Sequence, residues 1–232
     1  MFFYKLLFLF IIGSTFGFIL ELFFRRFFSA KAWINPGFLS GPTLPLYGFS
    51  LVAIYSFTIL LNNIQIENVA VKSLVIILIL TIIVTFIEMI TGLFFQNIMK
   101  VKLWDYSNRF LNFKGVICPL FSAFWMVIIA IYYLFIHKFM QNITEVISSE
   151  TITLIFLFGL YYGVLICDVV SSFNLITKIR SFAISENIKV KLVSMKANVV
   201  KATGTIKGKL CMVLPIKNVK VLLEHIKSLT KR

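Results

Sequence analysis

Five stretches of this chain, roughly residues 2–24, 44–62, 73–97, 116–137 and 151–176, are mostly apolar and each is about 20 residues long. That is the length an α-helix needs to cross the roughly 30 Å hydrocarbon core of a bilayer. The composition leaves no room for another reading. Of the 232 residues 59% are hydrophobic, 26 are Phe and only 14% are charged, whereas a soluble domain carries about 25% charged residues. The apolar surface exceeds what a chain of this size can hide internally, so the bilayer has to be the solvent. The expected fold is all-α, a polytopic membrane helix bundle of about five transmembrane helices. The first stretch starts like a signal peptide, with Lys5 before an apolar run. It ends in Glu21, Arg25 and Arg26 with no small-residue cleavage site, so it reads as a retained helix.

Orientation follows from where Lys and Arg fall in the connecting segments. Loop one (25–43) holds Arg25, Arg26 and Lys31, and loop three (98–115) holds Lys100, Lys102, Arg109 and Lys114. Loops two and four carry one Lys each, beside Glu67, Glu145 and Glu150. The segment 177–232 carries 13 basic and two acidic residues. These counts put the odd loops and a basic tail in the cytosol and the N-terminus outside, which an odd number of helices reproduces. The expected organisation is a transmembrane domain over 1–176 and a cytosolic tail over 177–232, in a multi-pass protein of the cytoplasmic membrane. The tail interleaves Lys with Val, Ile and Leu, a pattern that leans on anionic headgroups at about 1 kcal/mol per basic residue. Its only aromatic ring is Phe182, so nucleic acid is not an expected partner.

Metal and nucleotide chemistry find little support. Cys118, Cys167 and Cys211 form no CxxC pair and have no His at ligand spacing, so no metal or disulfide framework is expected. Gly204-Thr205-Ile206-Lys207-Gly208-Lys209-Leu210 is one residue short of a phosphate loop, and Leu210 stands where the metal-binding hydroxyl belongs. No ATPase, no cofactor and no catalytic residue is read from this chain.

Loops one and three share an order of residues. Glu21 precedes loop one, which contains Asn35 and leads through Gly41-Pro42-Thr43-Leu44-Pro45-Leu46 into helix 2. Glu88 precedes loop three, which contains Asn112 and leads through Gly115-Val116-Ile117-Cys118-Pro119-Leu120 into helix 4. This pattern points to a parallel internal repeat of helices 1-2 and 3-4, with its axis along the membrane normal. Pro suits the first turn of a helix, where its missing N–H is an orphan in any case. Two such entries on one side predict loops that dip back toward the bilayer, which requires protein or a cavity around them.

Three carboxylates fall inside apolar stretches: Glu21, Glu88 and Asp168. Each is costly against lipid and is expected to face the bundle interior with a partner. Thr81, Thr85, Glu88, Gly92 and Gln96 step by 4, 3, 4 and 4 along one helix face. Gly13, Gly17 and Glu21 line another, and Gly159 with Gly163 a third; small residues at this spacing are candidate seams between helices. Arg25, Arg26 and Arg109 are the cations within reach, and Ser171 and Ser172 lie one turn from Asp168. The acids are read as intramembrane coupling residues around a cytosol-facing cavity. The alternative is that they pair locally and hold the bundle. Loop three adds Lys102-Leu103-Trp104-Asp105-Tyr106-Ser107-Asn108-Arg109, either an interfacial anchor or a docking and gating surface.

The chain resembles the CmpB-like, type IV ABC-transporter permease family. The likeness rests on Gly17-x3-Glu21, on Asn35-Pro36-Gly37-Phe38-Leu39-Ser40-Gly41-Pro42-Thr43-Leu44-Pro45-Leu46-Tyr47-Gly48, on Glu88, and on Trp104-Asp105-Tyr106-Ser107 followed by Asn112 and Gly115. It covers about residues 10–175, and departs from the family pattern at Pro36 and Phe110, where Arg and Pro are usual. The resemblance implies the membrane subunit of a transporter whose energy comes from a separate ATPase subunit; the small size of the membrane domain points to a homodimer or hetero-partner completing the pore. The competing readings are an enzyme working on a lipid headgroup at the cytosolic interface, and a scaffold or sensor that transports nothing.

Overall fold

Apolar runs that must satisfy their own backbone polar groups become helices, and helices make up most of the computed structural model, which describes residues 2–29, 31, 33–149, 152–185 and 190–191. Helix α1 (Phe2–Phe24) runs into a π-helical turn, Arg25–Ser29. Helix α2 is Pro45–Leu61, and α3 is Val69–Leu93 followed by a second π-helical turn, Phe94–Ile98. Helix α4 starts at Pro119 and continues through a π-helical stretch, Tyr132–Ile136, to Ser149. Helix α5 is Ile152–Ser185. Phe2–Phe28, Val69–Ile98, Pro119–Val146 and Ile152–Ser181 are each long and apolar enough to cross a membrane. With 17 residues, α2 sits at the lower limit of the roughly 17–25 that spanning takes. Most of the basic tail, residues 186–189 and 192–232, lies outside the described residues.

Helix ends follow local chemistry. Asn68 caps α3: its side-chain oxygen accepts the N–H groups of Ala70 and Val71 at 2.9 and 3.2 Å. Lys72 closes the short connection by donating to the Asn62 carbonyl at 2.7 Å, a cation at the C-terminal end of α2. Pro45 opens α2 and Pro119 opens α4, the latter after an extended Cys118. Two boundaries differ from the sequence reading. Residues 138–149, read as a loop because they are polar, continue α4. The segment is amphipathic: His137 and Thr144, seven residues apart and therefore on one face, are buried, whereas Lys138, Asn142 and Glu145 are exposed. Helix α5 likewise passes the expected end at 176 and runs to Ser185.

The chain divides into two units: Met1–Ser14 with Pro45–Thr91 and Tyr106–Tyr161, and Thr15–Leu44 with Gly92–Asp105 and Tyr162–Arg232. In the first, Ile54 of α2, Ile76, Ile77, Leu80 and Val84 of α3, and Trp125, Ile129 and Tyr132 of α4 form one buried cluster. Between helices in lipid, packing rather than water exclusion supplies the attraction, so close approach matters. A Cβ on Gly13 would stand 2.8 Å from the Tyr47 carbonyl oxygen and 2.8 Å from Leu51 Cβ, and one on Gly48 would stand 2.8 Å from the Phe10 ring. Gly13 is thus a seam inside this chain, between α1 and α2. Among the described residues, nothing beyond its own helix would lie within 4 Å of a Cβ on Gly159 or Gly163.

In the second unit, the rings of Phe38 (loop one), Phe95 (the end of α3) and Phe173 (α5) meet at 4.9, 5.5 and 6.4 Å between centroids. Ile34, Leu39, Val101, Ile176 and Ile179 are buried. Strand β1 (Val101–Lys102) pairs in parallel with β2 (Val190–Lys191) over two residues.

Candidate functional site

Each of the three acids has a local partner. In the first unit Glu88 is 4% exposed. It accepts the Trp125 indole N–H at 3.0 Å on one carboxylate oxygen and the Tyr106 hydroxyl at 3.3 Å on the other. Thr85, one turn earlier on the same stripe, donates to Ser122 of α4 at 3.3 Å. The α3 stripe therefore faces α4, and its carboxylate reaches up to loop three. Rings hold both donors in place: Tyr47 stands 5.0 Å from Trp125, and Tyr106 stacks on Phe121 at 4.2 Å.

In the second unit Asp168 of α5 is bound to loop one. Its Oδ1 accepts the Ser40 backbone N–H at 3.0 Å and the Ser172 hydroxyl at 3.1 Å, and its Oδ2 accepts the Gly41 N–H at 2.8 Å. A Cβ on Gly41 would stand only 3.0 Å from Oδ2, so glycine permits this approach. Of the two serines read near Asp168, Ser172 is the one in contact. Glu21 takes Arg25, one turn on, at 3.1 Å, the first of the three arginines read as candidates. Arg26 instead donates to the Lys31 carbonyl and lies 5.8 Å from the Trp33 ring centre.

The two asparagines of the repeated order do the same work in their separate units. Asn35 donates its amide to the carbonyls of Leu39 and Ser40 at 3.0 and 3.2 Å, and accepts the Gly37 N–H at 2.9 Å. Asn112 donates to the carbonyls of Ser107 and Arg109 at 3.1 and 2.8 Å, and accepts the Gly115 N–H at 3.0 Å. An Asn amide with two donors and an acceptor can satisfy three backbone groups of a turn at once. Gly115 also has φ of 71°, a left-handed conformation that glycine adopts without strain, and its carbonyl accepts the Tyr106 N–H at 2.9 Å. Each loop is thus braced internally by one Asn and fastened to a helix by one carboxylate.

The remaining residues singled out from sequence fall around these braces. Asp105 pairs with Lys102 at 3.3 Å. Trp104 is half-buried, Pro42 and Arg109 are exposed, and Pro45 is the first residue of α2. Sequence reasoning missed Trp125 and Ser40. The signal for Trp125 was present: an indole N–H deep in an apolar stretch demands an acceptor, and Glu88 was the acid nearest in depth. Nothing in sequence pointed to Ser40, because its contribution is a backbone N–H. Also missed was a buried polar cluster of α2 and α4. Tyr55 and Thr144 hydroxyls meet at 3.0 Å, Thr144 donates to the Gln141 carbonyl at 2.9 Å, and Tyr132 meets His137 Nδ1 at 3.3 Å.

The Glu88 contacts allow a direct test. Trp125→Phe keeps the ring packing and removes one donor to the buried Glu88 carboxylate. It should cost about 1–3 kcal/mol of stability, read as a lowered unfolding temperature in detergent, with Tyr106→Phe acting in the same direction.

Comparison with the curated proteins and with the solved structures finds no match. Residues 8–173 match the family described as "Putative ABC-transporter type IV". That span runs from within α1 to within α5 and includes both braced loops, Glu88 and Asp168; together with the four helices able to cross a bilayer it describes a multi-pass membrane protein. The chain belongs to this ABC-transporter type IV family.

Proposed function

We propose that the chain is the membrane (permease) subunit of a transporter in the cytoplasmic membrane, energised by a separate ATPase subunit that docks on the side of loops one and three and the basic tail. The observation that supports this most is the fastening of both loops to intramembrane carboxylates, Tyr106 to Glu88 and Ser40 and Gly41 to Asp168. A partner that moves such a loop pulls on a charged group inside a spanning helix. The reverse also holds: a change at the carboxylate, protonation or substrate contact, alters the loop. Glu21, Glu88 and Asp168 are the coupling residues in this reading, and Trp104, Asp105, Tyr106 and Ser107 of loop three and the Asn35 to Tyr47 segment are each read as contacts for the partner. A second copy of the chain would complete the pathway, with Gly159 and Gly163 as the seam because a Cβ there would meet no other element among the described residues.

Co-purification from the native membrane, followed by ATPase assay of the reconstituted complex, tests the proposal. An ATPase subunit should come down with the chain, and Glu88→Gln should change its rate while both proteins remain associated. Glu88→Gln keeps the side-chain shape but removes the charge and one of the two acceptor oxygens. If the variant alters thermal stability alone, and no ATPase copurifies, the acids are structural and the chain is a scaffold. If a lipid is converted in the presence of a divalent metal, the enzyme reading replaces both.

A further inference from the structure

The part of loop three beyond its Glu88 contact presents an unusual surface. Phe110 is 83% exposed, Leu111 70% and Phe113 48%. Arg109 and Lys114 flank them and are exposed, and neither joins an ion pair among the described residues. Lys114 Nζ sits 5.4 Å from the Phe113 ring centre. The backbone takes a strained path to achieve this. Leu111 has φ of 48° and Lys114 of 52°, the left-handed region that costs a residue with a Cβ on the order of 1 kcal/mol. The tip is nonetheless fixed, by the Asn112 amide and by the Phe113 N–H on the Ile117 carbonyl at 2.9 Å. A loop that holds three bulky apolar side chains outward at the expense of backbone strain has something to put them against.

We propose that this tip, Arg109–Lys114, is a membrane-insertion element: Phe110, Leu111 and Phe113 enter the bilayer boundary beside the helices, and Arg109 and Lys114 engage anionic phosphates. Reach and charge favour lipid over a soluble partner. Tyr106, four residues before Phe110, is bound to a carboxylate inside α3, and Pro119, five residues after Lys114, opens a spanning helix. An extended chain covers about 3.5 Å per residue, so neither arm lets the tip stand far from the plane where α4 enters the membrane. Leu120 and Phe124 of α4 continue the exposed apolar surface. Two basic residues framing three apolar ones match an anionic leaflet, with acyl chains below and phosphates above. The inference does not rest on the transporter reading and would hold for a scaffold.

The test uses the full chain reconstituted in vesicles of phosphatidylcholine alone and of phosphatidylcholine with phosphatidylglycerol. A bimane is attached at Phe110→Cys in a Cys167→Ser, Cys211→Ser background, Cys118 being buried. Its emission is then quenched with brominated lipids or with aqueous iodide. Brominated lipid should quench strongly and iodide weakly, with the contrast sharpened by phosphatidylglycerol. Arg109→Gln with Lys114→Gln should weaken the preference for the anionic lipid roughly tenfold or more while leaving the Glu88 contacts and the elution profile unchanged. If iodide quenches the dye fully in both vesicles and brominated lipid does not, the tip stands in water and the proposal is overturned in favour of a protein partner. Quenching by brominated lipid that ignores both phosphatidylglycerol and the double variant overturns the anionic half of it. Should Phe110→Cys fail to reconstitute, the same label at Leu111→Cys gives the same readout.

Discussion

Gly13→Leu is expected to leave little or no protein in the monodisperse, folded form, whereas Gly159→Leu, the same change in another apolar helix, should leave each copy of the chain folded. At Gly13 the first added carbon would meet the Tyr47 carbonyl oxygen and Leu51 Cβ at 2.8 Å each, and Gly48 Cα at 3.1 Å. Two of these three atoms belong to the α2 backbone, which no side-chain rotation can clear. Overpacking that side chains can absorb costs about 1–3 kcal/mol. Separating α1 from α2 should exceed that range and strip Phe10 from its seat on Gly48 as well. At Gly159 an added Cβ would meet nothing beyond its own helix within 4 Å among the described residues, so no clash with them opposes the change. Size-exclusion profiles and thermal unfolding in one detergent compare the two variants. Equal damage at both positions would show that α1–α2 contact is not where the described packing has it. A change of apparent mass for Gly159→Leu alone, with unfolding temperature unaltered, would locate a seam between copies.

The second large effect is expected at Asp168. Asp168→Ala removes the acceptor for two backbone N–H groups and one hydroxyl together, those of Ser40, Gly41 and Ser172. Hydrogen bonds to a charged acceptor contribute about 1.5–3 kcal/mol each when buried. The site is only partly buried, so about 2–4 kcal/mol in total is the appropriate scale. The loss should appear first as release of loop one: limited proteolysis near residues 36–44 should speed up before global unfolding does, since local opening costs less than the whole. Asp168→Asn keeps one carbonyl oxygen and should fall between the parent and Ala. Ser172→Ala, which removes only the hydroxyl, should be the mildest of the three. If Ala and Asn were equally harmless, the carboxylate would not be what holds the loop.

How much of this was legible beforehand depends on range along the chain. The apolar stretches, the helix entries at Pro45 and Pro119, and the paired Glu21 and Arg25 are local features, set by residues within a turn or two of one another. The acids were recognisable as costly, and the Asn residues as members of a repeated order, because a carboxylate in an apolar run and an Asn at a turn are conspicuous in any sequence. Partners were another matter. Glu88 and Trp125 are 37 residues apart, and Asp168 and Gly41 are 127 apart. No periodicity links such positions, and at Ser40 and Gly41 the bond is made by backbone that every residue possesses. Helix extent misled for a related reason. Among residues 138–149, Lys138, Asn142 and Glu145 are exposed while Thr144 is buried on Tyr55 of α2, and polarity by itself does not distinguish a buried polar contact from an exposed one.

By itself the sequence determined the solvent and the secondary structure: a chain so apolar must live in lipid, and in lipid a backbone without water has to close its own hydrogen bonds as helix. Only the tertiary structure decided which group each embedded carboxylate would hold, which glycine would be filled by a neighbouring helix, and which apolar side chains of loop three would be left pointing outward. The first kind of outcome follows from the free energy of transferring each segment, a sum over residues. The second follows from where helices cross, and a shift of one turn in packing would give the same residues different partners at nearly the same transfer cost.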